Sequence, residues 1–266
     1  MNKLINIFIL VFVWNTTDTF AGSRATENAN LDPVEVIKFA KDVEKYAASK
    51  GARAFIVSRL GTPKPELPEG VHFTHTAVAI YSNIQLSDGK MVQGYAFHNL
   101  YQDAEGSKKS SIITDYPVDF FWGAMELKAG IIIPKPELQQ KLIDNISSGK
   151  HLSLHNPKYS VLSNPFNNKY QNCTEYILDV INASIYQTTD KQQLKVNAKA
   201  HFKPKRIKRS LKLLLGRLLK EDVTTKDHGR KIYTATFTTI GKYLDDNHLV
   251  TDFIVLKQNG ITAELI

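Results

Sequence analysis

The chain has 266 residues, 42% of them hydrophobic, with a formal charge of +8 and a pI near 9.3. That length buries one substantial α/β core without demanding two domains, and with no internal repeat or low-complexity block it excludes a solenoid or a disordered scaffold. Excess positive charge favours anionic partners.

Lys3, an apolar run from Leu4 to Trp14, polar Asn15 to Asp18 and a small-residue end at Ala21 form the pattern of a secretory signal over residues 1–21. The run is roughly half the ~20 residues that a membrane-spanning helix needs. The expectation is an exported, periplasmic protein whose residues 22–266 form a single domain. Its one cysteine excludes an internal disulfide, and a single thiol in an oxidising compartment is either buried and inert or kept for reactivity.

Asp32-Pro33-Val34-Glu35 supplies an N-cap, a first-turn proline and a capping-box acid for a helix to about Ser49. Its apolar stripe is Val36, Ile37, Ala40, Val43 and Ala47, and Gly51 ends it. Ala52 to Leu60 reads as a strand. Phe73 to Ser82 and Met91 to Leu100, separated by Ser87-Asp88-Gly89-Lys90, read as a hairpin. Gly130 to Pro134 is a short apolar strand, and Pro136 to Ser148 a helix. After a loop rich in Asn, Pro and Ser, Asn172 caps a helix that begins at Cys173, with Glu175 as its capping-box acid.

Further on, Lys191 to Ala200 is a helix and residues 203–220 a basic amphipathic one. Then come a strand at Tyr233 to Phe237, a helix at Thr239 to Asp245 and a strand at Phe253 to Leu256. In the basic segment Ile207, Leu211, Leu214, Leu215 and Leu218 form one stripe. Lys203, Lys205, Arg206, Lys208, Arg209 and Lys212 suit an anionic membrane surface. The export signal argues against nucleic acid.

A nucleophilic thiol benefits from the first turn of a helix, where unpaired N–H groups favour negative charge, and it needs a base held by a third polar group. Cys173 meets the first condition. His75 alternates onto one strand face with Phe73, Ala77 and Ala79, and in a hairpin turning at Asp88-Gly89 His98 falls close to opposite it. Cys173 as nucleophile, His75 as base and His98 as orienting group are therefore the expected catalytic set. The Gln171 side chain and the Cys173 N–H are oxyanion candidates by position. Taken singly, Cys173 and His75 also read as ordinary core residues. Neither metal nor cofactor is expected, because the remaining histidines show no ligand spacing and no phosphate-cradling Gly-rich loop occurs.

His75-Thr76-Ala77-Val78-Ala79-Ile80-Tyr81 on a strand, a second His one strand later and Asn172-Cys173-Thr174-Glu175-Tyr176 opening a helix resemble the permuted NlpC-type papain-like group, which includes lecithin:retinol acyltransferase-like proteins. Thr174 and Glu175 stand where those relatives often carry an acidic or His residue directly after the Cys. More closely, the chain resembles the bacterial family called domain of unknown function 2145. The matching pieces are Phe73-Thr74-His75, His98-Asn99, Phe120-Phe121, Ile133-Pro134, Pro136-Glu137-Leu138-Gln139 and Tyr170-Gln171-Asn172-Cys173-Thr174.

The resemblance implies an α+β papain-like fold, an antiparallel sheet packed with helices, and no settled reaction. Together with the Cys/His set it leads to an expected thiol hydrolase or acyltransferase acting on amide or ester bonds of envelope peptides or lipids. The alternative is a non-enzymatic envelope binding protein that docks through the basic helix.

Overall fold

The computed structural model describes residues 29–103, 107–208 and 222–262. Its first helix, α1 (Pro33–Ser49), starts where Asp32 Oδ1 accepts from the N–H groups of Val34 and Glu35 at 3.0 and 3.1 Å. It ends at Gly51, whose φ of +64° is the left-handed conformation a glycine adopts without strain. The buried stripe is Val36, Phe39, Ala40, Val43 and Ala47; Ile37, expected on it, is 45% exposed.

The strands are β1 (Ala54–Arg59), β2 (His75–Gln85), β3 (Met91–Gln102), β4 (Ser110–Asp115), β5 (Lys128–Pro134), β6 (Lys205–Ile207), β7 (Ile232–Thr234), β8 (Val250–Lys257) and β9 (Gly260–Thr262). Helix α2 (Pro117–Trp122) follows β4, and α3 (Pro136–Ser147) follows β5. Then come α4 (Cys173–Tyr186), α5 (Lys191–His201) and, after β7, α6 (Phe237–Asp246). The main sheet runs β4-β3-β2-β1-β5-β8-β9 and all its pairings are antiparallel, while β6 and β7 form a separate ribbon.

Apolar residues alternate along the strands, and each set meets its own layer of helices. Ala77 and Ala79 of β2 and Phe97 of β3 join α1 and α2 in one core. Val78, Ile80 and Leu100 join α3, α4, α5 and α6 in the other. The architecture is α+β, an antiparallel sheet between two helical layers. Every residue of α4 from Cys173 to Ser184 is buried, so this helix is a central core element. Among the described residues no helix is long and apolar enough to cross a membrane.

Two expectations change here. Lys205–Ile207, placed in the basic helix by sequence, is strand β6 paired with β7, and Lys203 lies between α5 and β6, outside any helix. Lys203 lies 3.6 Å from Asp246, and Lys208 is 2.7 Å from Glu69, both on the exposed surface. The rest of that segment, with Arg209 and Lys212, lies outside the described residues, as does the signal over residues 1–21. Second, β4 and α2 were not read from the sequence; β4, Ser-Ser-Ile-Ile-Thr-Asp, is a short, largely polar edge strand.

Candidate functional site

His75 opens β2 opposite Arg59 of β1, with its side chain on the α1/α2 face. It is 1% exposed. Its ring stacks on Tyr101 at 4.4 Å between centroids and lies 5.3 Å from the Phe120 ring. His75 Nε2 is 2.6 Å from Asn99 Oδ1. The amide orientation follows from its surroundings: Asn99 Nδ2 donates to the carbonyls of Phe97 at 3.2 Å and Ile113 at 3.0 Å, which leaves Oδ1 as the acceptor. Nε2 therefore carries the proton, and Nδ1 keeps its lone pair. Nδ1 is buried without a hydrogen-bond partner among the described residues. Burial, and then the Arg59 guanidinium, hold the imidazole well below its ordinary range, with the Asn99 hydrogen bond opposing them.

Around this ring lies a buried polar group. Arg59 donates through Nη1 to the Gly123 carbonyl, and its guanidinium carbon sits 5.6 Å from the Phe120 ring centroid. The Tyr101 hydroxyl donates to Asp115 Oδ2 at 2.6 Å. Burial raises the Asp115 carboxyl.

Cys173 is the first residue of α4, and the Asn172 side chain caps that helix by accepting from the Glu175 N–H at 2.9 Å. The thiol is 3% exposed, 3.5 Å from the Thr74 carbonyl and 3.7 Å from the Thr174 hydroxyl. Thr174 Oγ1 lies 3.3 Å from Thr76 Oγ1, which is 3.1 Å from Ser58 Oγ, and Ser58 donates to the His75 carbonyl. This hydroxyl chain pins the first turn of α4 to the start of β2. The thiol thus reaches β2 at the residue before His75, from the α4 side, while the imidazole projects to the α1/α2 side.

His98 does not orient His75. The hairpin pairs Gln85 with Met91, which centres its turn on Asp88 and sets His98 opposite Val78, on the α4 face. A register offset of odd parity moves a side chain to the other face of the sheet. His98 Nδ1 is 3.2 Å from Thr114 Oγ1, and its ring is 5.7 Å from that of His151. Burial, then His151, pulls its imidazole down to about 4. The side chain that meets the His75 ring is that of Asn99, the next residue along the strand. Counted from the Asp88 turn, His75 and His98 are unequally distant and fall on opposite faces, whereas alternation puts Asn99 on the face of His75.

Gln171 is not available as an oxyanion donor. Its Nε2 donates to Asp179 Oδ2 at 2.9 Å and the Leu154 carbonyl at 3.2 Å, and its Oε1 accepts from the Asn156 N–H at 2.8 Å. Glu175, expected to close a capping box, instead pairs with Lys195 of α5 at 2.7 Å. Asp179, one turn on, meets the same ammonium at 2.8 Å. Sequence reading missed this buried triad, although Glu175 and Asp179 stand four apart on one helical face. Among the described residues no group of three or more His, Cys, Asp and Glu side chains is placed to hold a metal ion.

A family model described as an uncharacterised protein conserved in bacteria (DUF2145) matches residues 46–244, which include every residue of this cluster. No curated protein and no solved structure matches the chain.

Proposed function

We propose that this chain, which belongs to the DUF2145 family of bacterial proteins, is an exported thiol hydrolase or acyltransferase of permuted papain-like type. Its substrates would be amide or ester bonds of envelope peptides or lipids. The observation that carries the reading is the His75 imidazole, with Nε2–H held by Asn99 and an unoccupied Nδ1 lone pair one residue from the carbonyl that takes the Cys173 thiol. A base whose second nitrogen is fixed by an amide oxygen suits proton abstraction from a thiol.

Cys173 Sγ attacks the substrate carbonyl while His75 Nδ1 accepts the thiol proton. That proton then passes to the departing amine or alcohol. Water, or an acceptor hydroxyl or amine, gives up a proton to His75 and displaces sulfur from the thioester, restoring the thiol. Asn99 keeps the imidazole in the tautomer that begins the cycle. Because Cys173 and His75 are 3% and 1% exposed, substrate entry requires the covering segments to open. Direct transfer also requires the imidazole or the first turn of α4 to move past the Thr74–His75 peptide.

The same enclosure and two-sided approach favour a second reading, in which the pair is a packing element and the protein is an envelope binding module. The ultraviolet absorbance of the thiolate, taken as wild type minus Cys173→Ser and followed against pH, separates the two without requiring reagent access. The catalytic reading expects a midpoint below the ~8.5 of an ordinary thiol, rising in His75→Ala. An ordinary midpoint that ignores His75 leaves the binding module standing.

A further inference from the structure

The first turn of α4 separates the thiol from three buried charges. Cys173 faces β2, whereas Glu175 and Asp179, about 200° and 240° further round the helix, face Lys195 of α5. Lys195 and Glu175 have side chains only 4% and 1% exposed, so the ammonium is the immediate counter-charge to two carboxylates in a poorly solvated layer. Gln171 ties Asp179 to the chain entering the helix.

We propose that Lys195 is a positioning residue for Cys173: by neutralising Glu175 and Asp179 behind the start of α4, it fixes that helix end and leaves it able to favour a thiolate. The inference rests on the reading of Cys173 as the nucleophile. Two uncompensated carboxylates behind the same turn would oppose the attraction of the helix N-terminus for negative charge. Burial lifts the Glu175 carboxyl well above the usual carboxylate range, and Lys195 offsets that only in part. An ionised Glu175 and a Cys173 thiolate are negative charges on either side of one helical turn, and they compete.

Other groups facing the triad are the Tyr176 hydroxyl, raised by burial and then by Asp179, the Lys191 amine, 2.8 Å from the His155 carbonyl, and His155 itself, held below its ordinary range chiefly by burial. Lys158 shares a cavity with Lys191, Lys195 and Glu175. Around the thiol stand Thr74, Thr174 and the neutral His75, with Arg59 beyond.

The test is the pH midpoint of the Cys173 thiolate absorbance in full-length variants. Lys195→Met should raise it by roughly one unit, and Asp179→Asn/Lys195→Met should return it to the wild-type value. Glu175→Gln, which retains the Lys195–Asp179 pair, should lower it. A purely structural role predicts no such pattern of signs. If Lys195→Met does not fold, the Glu175→Gln shift decides. Unchanged midpoints in the folded variants overturn the proposal. Repeating Lys195→Met and Glu175→Gln with His75→Ala separates the two claims. Sensitivity to the triad but not to His75 sinks only the catalytic reading, and the reverse sinks only this inference.

Discussion

Asn99 Oδ1 takes the Nε2–H of His75 across two neighbouring strands, while the Asn99 amide nitrogen is spent on two backbone carbonyls of β3 and β4. One side chain thereby fixes the imidazole tautomer and joins three strands. Replacing Asn99 with Ala strands a buried ring N–H and two carbonyl contacts at once. The expected loss is about 2 kcal/mol of unfolding free energy in urea, with the native fold retained. A loss under ~0.5 kcal/mol would mean that the hydrogen bond does not hold His75.

Stability should fall as the solution is acidified below about pH 6.5. His75, His98, His151 and His155 are all held below their ordinary range, with burial the largest cause in each. The unfolded chain therefore binds protons that the folded state refuses, and stability present above the unfolded value is lost as pH drops toward the folded ones. For His98, whose folded value is about 4, the window runs from roughly pH 6.5 down to about 4 and costs on the order of 1 kcal/mol per pH unit. Urea midpoints between pH 7 and 5 measure the slope, and His98→Gln should reduce it. An unchanged slope would show that this histidine titrates freely.

Glu175 works in the opposite direction. Its raised carboxyl lets the folded state hold a proton that the unfolded chain has released, so stability declines as pH rises from the usual carboxylate range toward the raised value. Glu175→Gln should flatten that decline in urea titrations between pH 5 and about 8.

Removing the Lys195 charge should be the costliest single change in the α4–α5 layer. Lys195→Met leaves Asp179, and Glu175 wherever it is ionised, without their shared ammonium, for which up to about 3–5 kcal/mol is the expected loss. Chemical denaturation at neutral pH measures it. Asp179→Asn/Lys195→Met, with one acid removed, should recover a large part. No recovery would assign the cost to lost packing of the lysine stem.

Two glycines make room for rings at the far side of the sheet. A Cβ on Gly130 of β5 would enter the Phe237 ring, and one on Gly241 of α6 the Phe253 ring. Gly130→Ala and Gly241→Ala should each cost about 1–3 kcal/mol through overpacking, read as a lowered thermal midpoint. A neutral result at either position would show that its ring turns aside freely.

The elements that announce themselves by period and punctuation were legible in sequence. Asp32 and Gly51 bound α1, Asn172 caps α4, and the β2–β3 hairpin and the apolar β5 lie where alternation places them. What failed was register. The turn lies at Asp88-Gly89 as expected, but His75 and His98 stand at unequal distances from it, and the odd difference puts them on opposite faces and makes Asn99 the neighbour of His75. Lys195 was illegible for another reason. Its charge has meaning only through α4–α5 packing, and a lysine in a polar helix ordinarily reads as solvated.

The burial of α4 from its first residue to Ser184 also makes Cys173 a reporter of motion. A small alkylating reagent reaches the thiol only through an opening of the fold, so its rate multiplies thiolate reactivity by an opening equilibrium. Local opening leaves that rate almost insensitive to dilute denaturant, and whole-domain opening makes it climb with the slope of global unfolding. Amide exchange along the same helix gives the opening free energy independently. The ratio of the two measurements would show whether the first turn of α4 parts from β2 by itself, as a working enzyme requires, or yields only with the rest of the core.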